Sequence, residues 1–120
     1  MSYKYYNNNP LARFSPDCVI RSVPCALNKS WDSIYDYLSD LAQAEGTLFD
    51  KRDFVRKFLD DNFVRLPKFE GTVGEASWLL FDKIALITMP GHITCSKYGV
   101  IYDTFDCRDR IVEDIWLVER

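Results

Sequence analysis

The chain has 120 residues, 48% of them hydrophobic and 15% aromatic, so a single domain can bury about two thirds of its unfolded surface without a disulfide or metal staple. Its 15 basic and 18 acidic residues are dispersed and sum to a net charge of −3, which offers neither a basic stripe for nucleic acid nor a polybasic anchor for a membrane. The longest apolar runs, Trp78 to Phe81 and Ile84 to Leu86, are too short to span a bilayer, and MSYKYYNNNP has no apolar signal segment, so the expected localisation is cytoplasmic.

No repeat, low-complexity tract or flexible linker divides the chain, and the expectation is one domain over residues 1–120. Asn7-Asn8-Asn9-Pro10 marks a turn before the first regular element. Asp17 is placed to cap a helix that begins at Cys18 and runs through CVIRSV until Pro24 kinks or ends it. Ser30 caps a second helix, in which Trp31, Ile34, Tyr35, Leu38, Leu41 and Ala42 recur at spacings of three and four until Gly46. Asp50 and Asp53 read as a capping pair for a third helix with Phe54, Val55, Phe58 and Leu59 on one stripe and Asn62 at its end. A shorter helix is expected around Val73 to Leu80.

From residue 83 the period changes. KIALITM, HITCSK, VIYDTFD and IVEDIWLVE are short, rich in β-branched and aromatic residues, and separated by Pro90-Gly91, Tyr98-Gly99 and Arg108-Asp109. The expected fold is α+β, with N-terminal helices packed on one face of a C-terminal antiparallel meander.

The four cysteines are expected as thiols. Neither the Cys18/Cys25 nor the Cys95/Cys107 spacing matches a zinc knuckle, and no metal or other cofactor is expected. Cys25, Cys95 and Cys107 read as core residues, as do Trp31, Tyr35, Trp78 and Trp116.

The single histidine, His92, opens one of the strands. If Tyr98 and Gly99 are the central residues of a tight hairpin, Lys97 pairs with Val100 and Thr94 with Asp103, so His92 and Asp103 share a face with β-carbons within about 7 Å. A three-residue loop would send Asp103 to the other side. Asp106 and Asp109 are weaker substitutes. A carboxylate beside an imidazole orients it and stabilises its charged form, which completes a nucleophile, base and orienter arrangement if a thiol is near. Cys18 is the candidate, because a helix N-terminus and Arg21 one turn on both favour a thiolate, while Asp17 opposes it.

Asp17-Cys18 opening a helix, Gly91-His92 entering a strand and Tyr102-Asp103 on the returning strand together resemble the papain-like cysteine peptidases, particularly small bacterial and phage-encoded domains similar to the bacteriocin-processing peptidases. The likeness spans about Asn9 to Cys107. It implies a papain-like fold and a thiol hydrolase acting on a peptide or protein substrate, with Cys18 as nucleophile, His92 as general base and acid, and Asp103 as orienting residue. Two departures accompany it. Ala12 stands where such families carry an oxyanion-hole glutamine, leaving Asn9, or its neighbours Asn7 and Asn8, as the candidate donor beside the Cys18 N–H. Pro24 and Cys25 lie where relatives continue an uninterrupted helix. The alternative reading is a catalytically inactive papain-like module that binds a partner protein, such as a phage-encoded accessory factor. A third is a plain domain in which the cysteine and histidine never meet.

Overall fold

The structure, a computed structural model, describes residues 2–10 and 18–118. Asp17, expected as a helix cap, and Ala12, at the vacant glutamine position, lie outside the described residues. The elements follow in the order β1 (Ser2–Tyr5), α1 (Cys18–Leu27), α2 (Trp31–Ala44), α3 (Arg52–Asn62), β2 (Val64–Arg65), α4 (Val73–Leu79), β3 (Ile84–Met89), β4 (His92–Lys97), β5 (Val100–Asp103) and β6 (Asp114–Leu117). Helices and one sheet in this order make an α+β domain.

Local chemistry explains most of these boundaries. The Ser30 side chain accepts from the Ser33 N–H at the start of α2, whose buried stripe is Ile34, Leu38 and Ala42. In α3 the stripe Phe54, Val55, Phe58 and Leu59 is buried as its spacing predicts, but the Asp50–Asp53 capping pair does not form. Lys51 occupies the cap position without a side-chain hydrogen bond, which places Asp50 outside the helix and Asp53 inside its first turn. Nor does Pro24 end α1, which continues to Leu27. Proline removes a single N–H donor from the ladder, and the helix is held on both sides by buried packing until Asn28, at φ 57°, turns the chain away.

Short α4 owes its start to a reciprocal cap in which Thr72 accepts from the Glu75 N–H and Glu75 accepts from the Thr72 N–H. Thr72→Ala is therefore expected to lower stability by about 1 kcal/mol, read as a lower urea midpoint at unchanged slope.

The sheet differs from the expected antiparallel meander. Its six strands run β1-β5-β4-β3-β6-β2, and β1 lies parallel to β5, so the sheet is mixed. The last long strand, β6, pairs with β3 rather than with its chain neighbour β5. Helices also cover both faces rather than one. Ile84 and Leu86 of β3, with Ile93, Cys95 and Trp116, pack against α1, α2 and α3. Ala85, Ile87 and Met89, with Ile101 and Ile115, pack against Val73 and Ala76 of α4. Every residue of β3 is consequently buried, which explains why this segment reads as a continuous apolar run instead of an alternating one. Among the expected core aromatics, Trp116 is buried, whereas Tyr35 stacks on Trp31 at the surface and Trp78 is 62% exposed at the end of α4.

Two turns position the site. Tyr98 (φ 52°) and Gly99 (φ 82°) join β4 to β5 in a left-handed pair, giving the register Lys97 to Val100 and Cys95 to Tyr102. Pro90 and Gly91 join β3 to β4 and leave His92 opposite Met89. His92 therefore begins β4 and Asp103 ends β5 at the same end of the sheet.

Candidate active site

Helix α1 runs alongside β4, with Cys18 at the His92 end and Cys25 beside Cys95 and Lys97. Its packing against β4 is fixed by Ser22, whose buried hydroxyl donates to the Ile93 carbonyl at 3.0 Å. Asn8 holds the other side by donating from Nδ2 to the Arg21 carbonyl at 3.2 Å. Cys18, the first residue of the helix, then meets the start of β4. Its sulfur is hydrogen-bonded to His92 and to the Ile93 backbone.

His92 faces Asp103 as the two-residue turn requires. His92 Nε2 lies 2.7 Å from Asp103 Oδ2, which leaves Nδ1 as the ring nitrogen for Cys18. The ring also packs against Phe105, with centroids 4.8 Å apart. Cys18, His92 and Asp103, widely separated in the sequence, thus form one hydrogen-bonded row.

Asp103 is only 2% exposed and is satisfied from several directions. Its Oδ1 accepts from the Thr104 N–H at 2.7 Å and from Arg21 Nη1 at 3.0 Å. The Cys107 thiol donates to Oδ2 at 3.7 Å, and the Tyr3 hydroxyl donates to the Asp103 carbonyl at 3.1 Å. Two of these partners escaped sequence reasoning. Arg21 reads there as a cation near Cys18, but its guanidinium is itself buried and ion-paired to Asp103. Cys107 reads as a core residue, which it is, yet it also touches the carboxylate. A charged residue inside the otherwise apolar α1 face was the available signal for Arg21.

The electrostatics favour an ion pair. Burial pushes the Cys18 thiol up, but its hydrogen bonds to His92 and the Ile93 backbone, with the charges of His92 and Arg21, bring it below the ordinary thiol value. Burial would lower His92, yet its hydrogen bonds to Asp103 and Cys18 and their charges raise it to about 9. Asp103 would be raised by burial, and the hydrogen bond and charge of His92, helped by the Thr104 N–H, bring it below the usual carboxylate value. All three shifts favour the charged forms: a lowered thiol, a raised imidazole and a lowered carboxyl.

Asn9, the candidate oxyanion donor, lies in a local turn where its backbone N–H donates to Asn7 Oδ1 at 3.1 Å. Among the described residues, neither it nor Asn7 or Asn8 lines the cleft beside Cys18. That cleft has a volume of about 360 Å³. Val19, Val55, Met89 and Ile93 give it an apolar floor, and Asp50, Arg52, Arg56 and Glu113 a charged rim. Arg56 is ion-paired to Asp114 and Arg52 approaches Glu113 at 3.6 Å.

His92, Asp103 and Cys107 bring three possible metal-ligand atoms within 4.8 Å of one another. The local chemistry suits hydrogen bonding better than metal ligation. The Arg21 cation already binds the carboxylate, and burial with the Asp103 charge pushes the Cys107 thiol up to about 12. All four cysteines are unbridged; the Cys25 and Cys95 thiols hydrogen-bond each other between α1 and β4. Of the weaker acid candidates, Asp106 is paired with Arg108 at 2.7 Å. Among the described residues, no helix is long and apolar enough to cross a membrane.

An α+β domain with a cysteine, histidine and buried aspartate in one row beside a cleft is the class that fold and site define. Neither a protein-family model nor a curated protein nor a solved structure matches the chain.

Proposed function

We propose that this protein is a papain-like thiol hydrolase that cleaves a peptide or isopeptide amide through Cys18, His92 and Asp103. The observation that carries the reading is the row itself: Cys18 bonded to His92, and His92 Nε2 2.7 Å from a buried carboxylate. Cys18 Sγ attacks the carbonyl carbon, the C–N bond breaks, and His92 gives its proton to the departing amine, leaving a thioester. Water then gives a proton to His92 as its oxygen attacks the thioester, the C–S bond breaks, and the carboxyl product leaves with the thiolate regenerated. Asp103 keeps the imidazole oriented in both halves. The first-turn N–H groups of α1 supply donors and a positive dipole end near the reacting carbonyl. The cleft of about 360 Å³ suits a slender peptide segment better than a bulky one.

Iodoacetamide labelling of the folded protein from pH 5 to 8, mapped by mass spectrometry, tests the site. The expected result is selective modification of Cys18 below the pH at which a free thiol reacts, lost in His92→Ala. Slow, uniform labelling of all four cysteines sinks the proposal. Selective labelling without hydrolysis of any peptide library would instead favour an inactive binding module with a retained ion pair.

A further inference from the structure

Resting on the reading above, we infer that Arg21 is a positioning residue of this site, holding the Asp103 carboxylate toward His92 while His92 alternates between imidazolium and neutral imidazole. The geometry gives it this place. Arg21 Nη1 donates to Asp103 Oδ1 at 3.0 Å and to Thr104 Oγ1 at 3.1 Å, on the opposite side of the carboxylate from His92 Nε2. Cys18 and Arg21 stand three residues apart on α1, so they share a helix face. The contacts therefore close a ring: α1 supplies both the sulfur at one end of the row and the cation at the other. Any shift of α1 that separated Cys18 from His92 would also strain Arg21 against Asp103.

The chemistry gives the ring a use. When His92 hands its proton to a leaving group, a buried Asp103 with no other cation would lose its only counter-charge. It would then compete for the proton or turn from the ring. Arginine stays charged throughout, so Asp103 remains an oriented carboxylate in either state of His92. A fixed positive charge behind Asp103 also favours the neutral imidazole that must accept a proton from water during deacylation. Among the described residues, the other groups facing this pair are Cys18 from α1, Tyr3 from β1 and Cys107 from the segment after β5, with Arg110 over the Phe105 ring that covers His92. Cys25, Cys95 and Lys97 lie further along α1 and β4. Among these, Arg21 alone places a cation directly on the carboxylate.

The chain contains one histidine, so its imidazole can be followed by NMR without assignment ambiguity. The companion measurement is the burst and turnover of p-nitrophenyl acetate, whose phenolate leaves without needing a proton, so that deacylation alone demands neutral His92. In Arg21→Met the His92 titration is expected to move up by about one pH unit and deacylation near neutrality to slow about tenfold. Arg21→Lys, which keeps the charge without the fork, should titrate as the parent and deacylate about threefold more slowly. A folded Arg21→Met with parental titration and turnover overturns the inference. Should that variant not fold, Arg21→Lys decides: a parental deacylation rate, or a shifted titration, overturns it. If the unaltered protein shows neither a burst nor a raised His92 titration, the hydrolase reading itself has failed; a raised titration indifferent to Arg21 removes only this inference.

Discussion

Asp103→Ala is expected to destabilise the protein by about 3–5 kcal/mol, because it leaves the Arg21 guanidinium buried without its carboxylate. Set against a typical total of about 5–15 kcal/mol, that loss puts the domain near its unfolding threshold. The cost arises from the partner left behind as well as from the pair itself. Arg21 loses its carboxylate partner while its bond to Thr104 Oγ1 remains, and the Thr104 N–H and Cys107 thiol lose their acceptor as well. Urea unfolding followed by circular dichroism checks this, and a midpoint equal to the parent would show that the buried pair is energetically idle. Asp103→Asn separates folding from chemistry, since its carbonyl can still accept from Arg21. In that variant the His92 titration should fall from about 9 toward its ordinary 6.5. The low-pH reactivity of Cys18 should fall with it, because the imidazolium that stabilises the thiolate is lost.

Cys18→Ala is expected to remove amide hydrolysis by a factor of about 10³ or more while leaving the fold intact, since Cys18 opens α1 rather than filling the core. The pH profile of the unaltered protein supplies a second readout. Activity should rise as pH passes the depressed Cys18 value and fall as His92 loses its proton at about 9. Stability follows the same groups by linkage. His92 is raised on folding, so its contribution is complete below about pH 6.5 and is lost as pH climbs through about 9. Asp103 is depressed on folding, so its contribution is complete above the ordinary carboxylate value and disappears as pH falls through its lowered value. Calorimetry across pH should therefore show the alkaline loss diminish in Asp103→Asn; an unchanged alkaline slope would contradict the His92 to Asp103 coupling.

The hairpin made the site partly legible before any tertiary information. Parity across Tyr98-Gly99 needs only the turn length, and that places His92 and Asp103 on one face. Cys18 was legible as the first residue of a helix, a local property. Arg21 was legible only as a charge within a mostly apolar helix, because its partner lies on β5 and helical periodicity does not say which carboxylate a buried cation will meet.

The sequence by itself determined the elements whose physics is local. The cap of α2, the buried stripes of α2 and α3 and the turn between β4 and β5 depend on hydrogen bonds and periodicities spanning a few residues, although Pro24, which does not end α1, and Asp50, which does not cap α3, show that local signals yield to packing. Tertiary structure alone decided the strand order, the parallel addition of β1 beside β5, the burial of β3 on both faces and the closing of Cys18 and Arg21 around His92 and Asp103. Strand pairing and a buried charge pair between α1 and β5 join residues far apart in the chain, and their free energy comes from surfaces that exist only once the chain has collapsed.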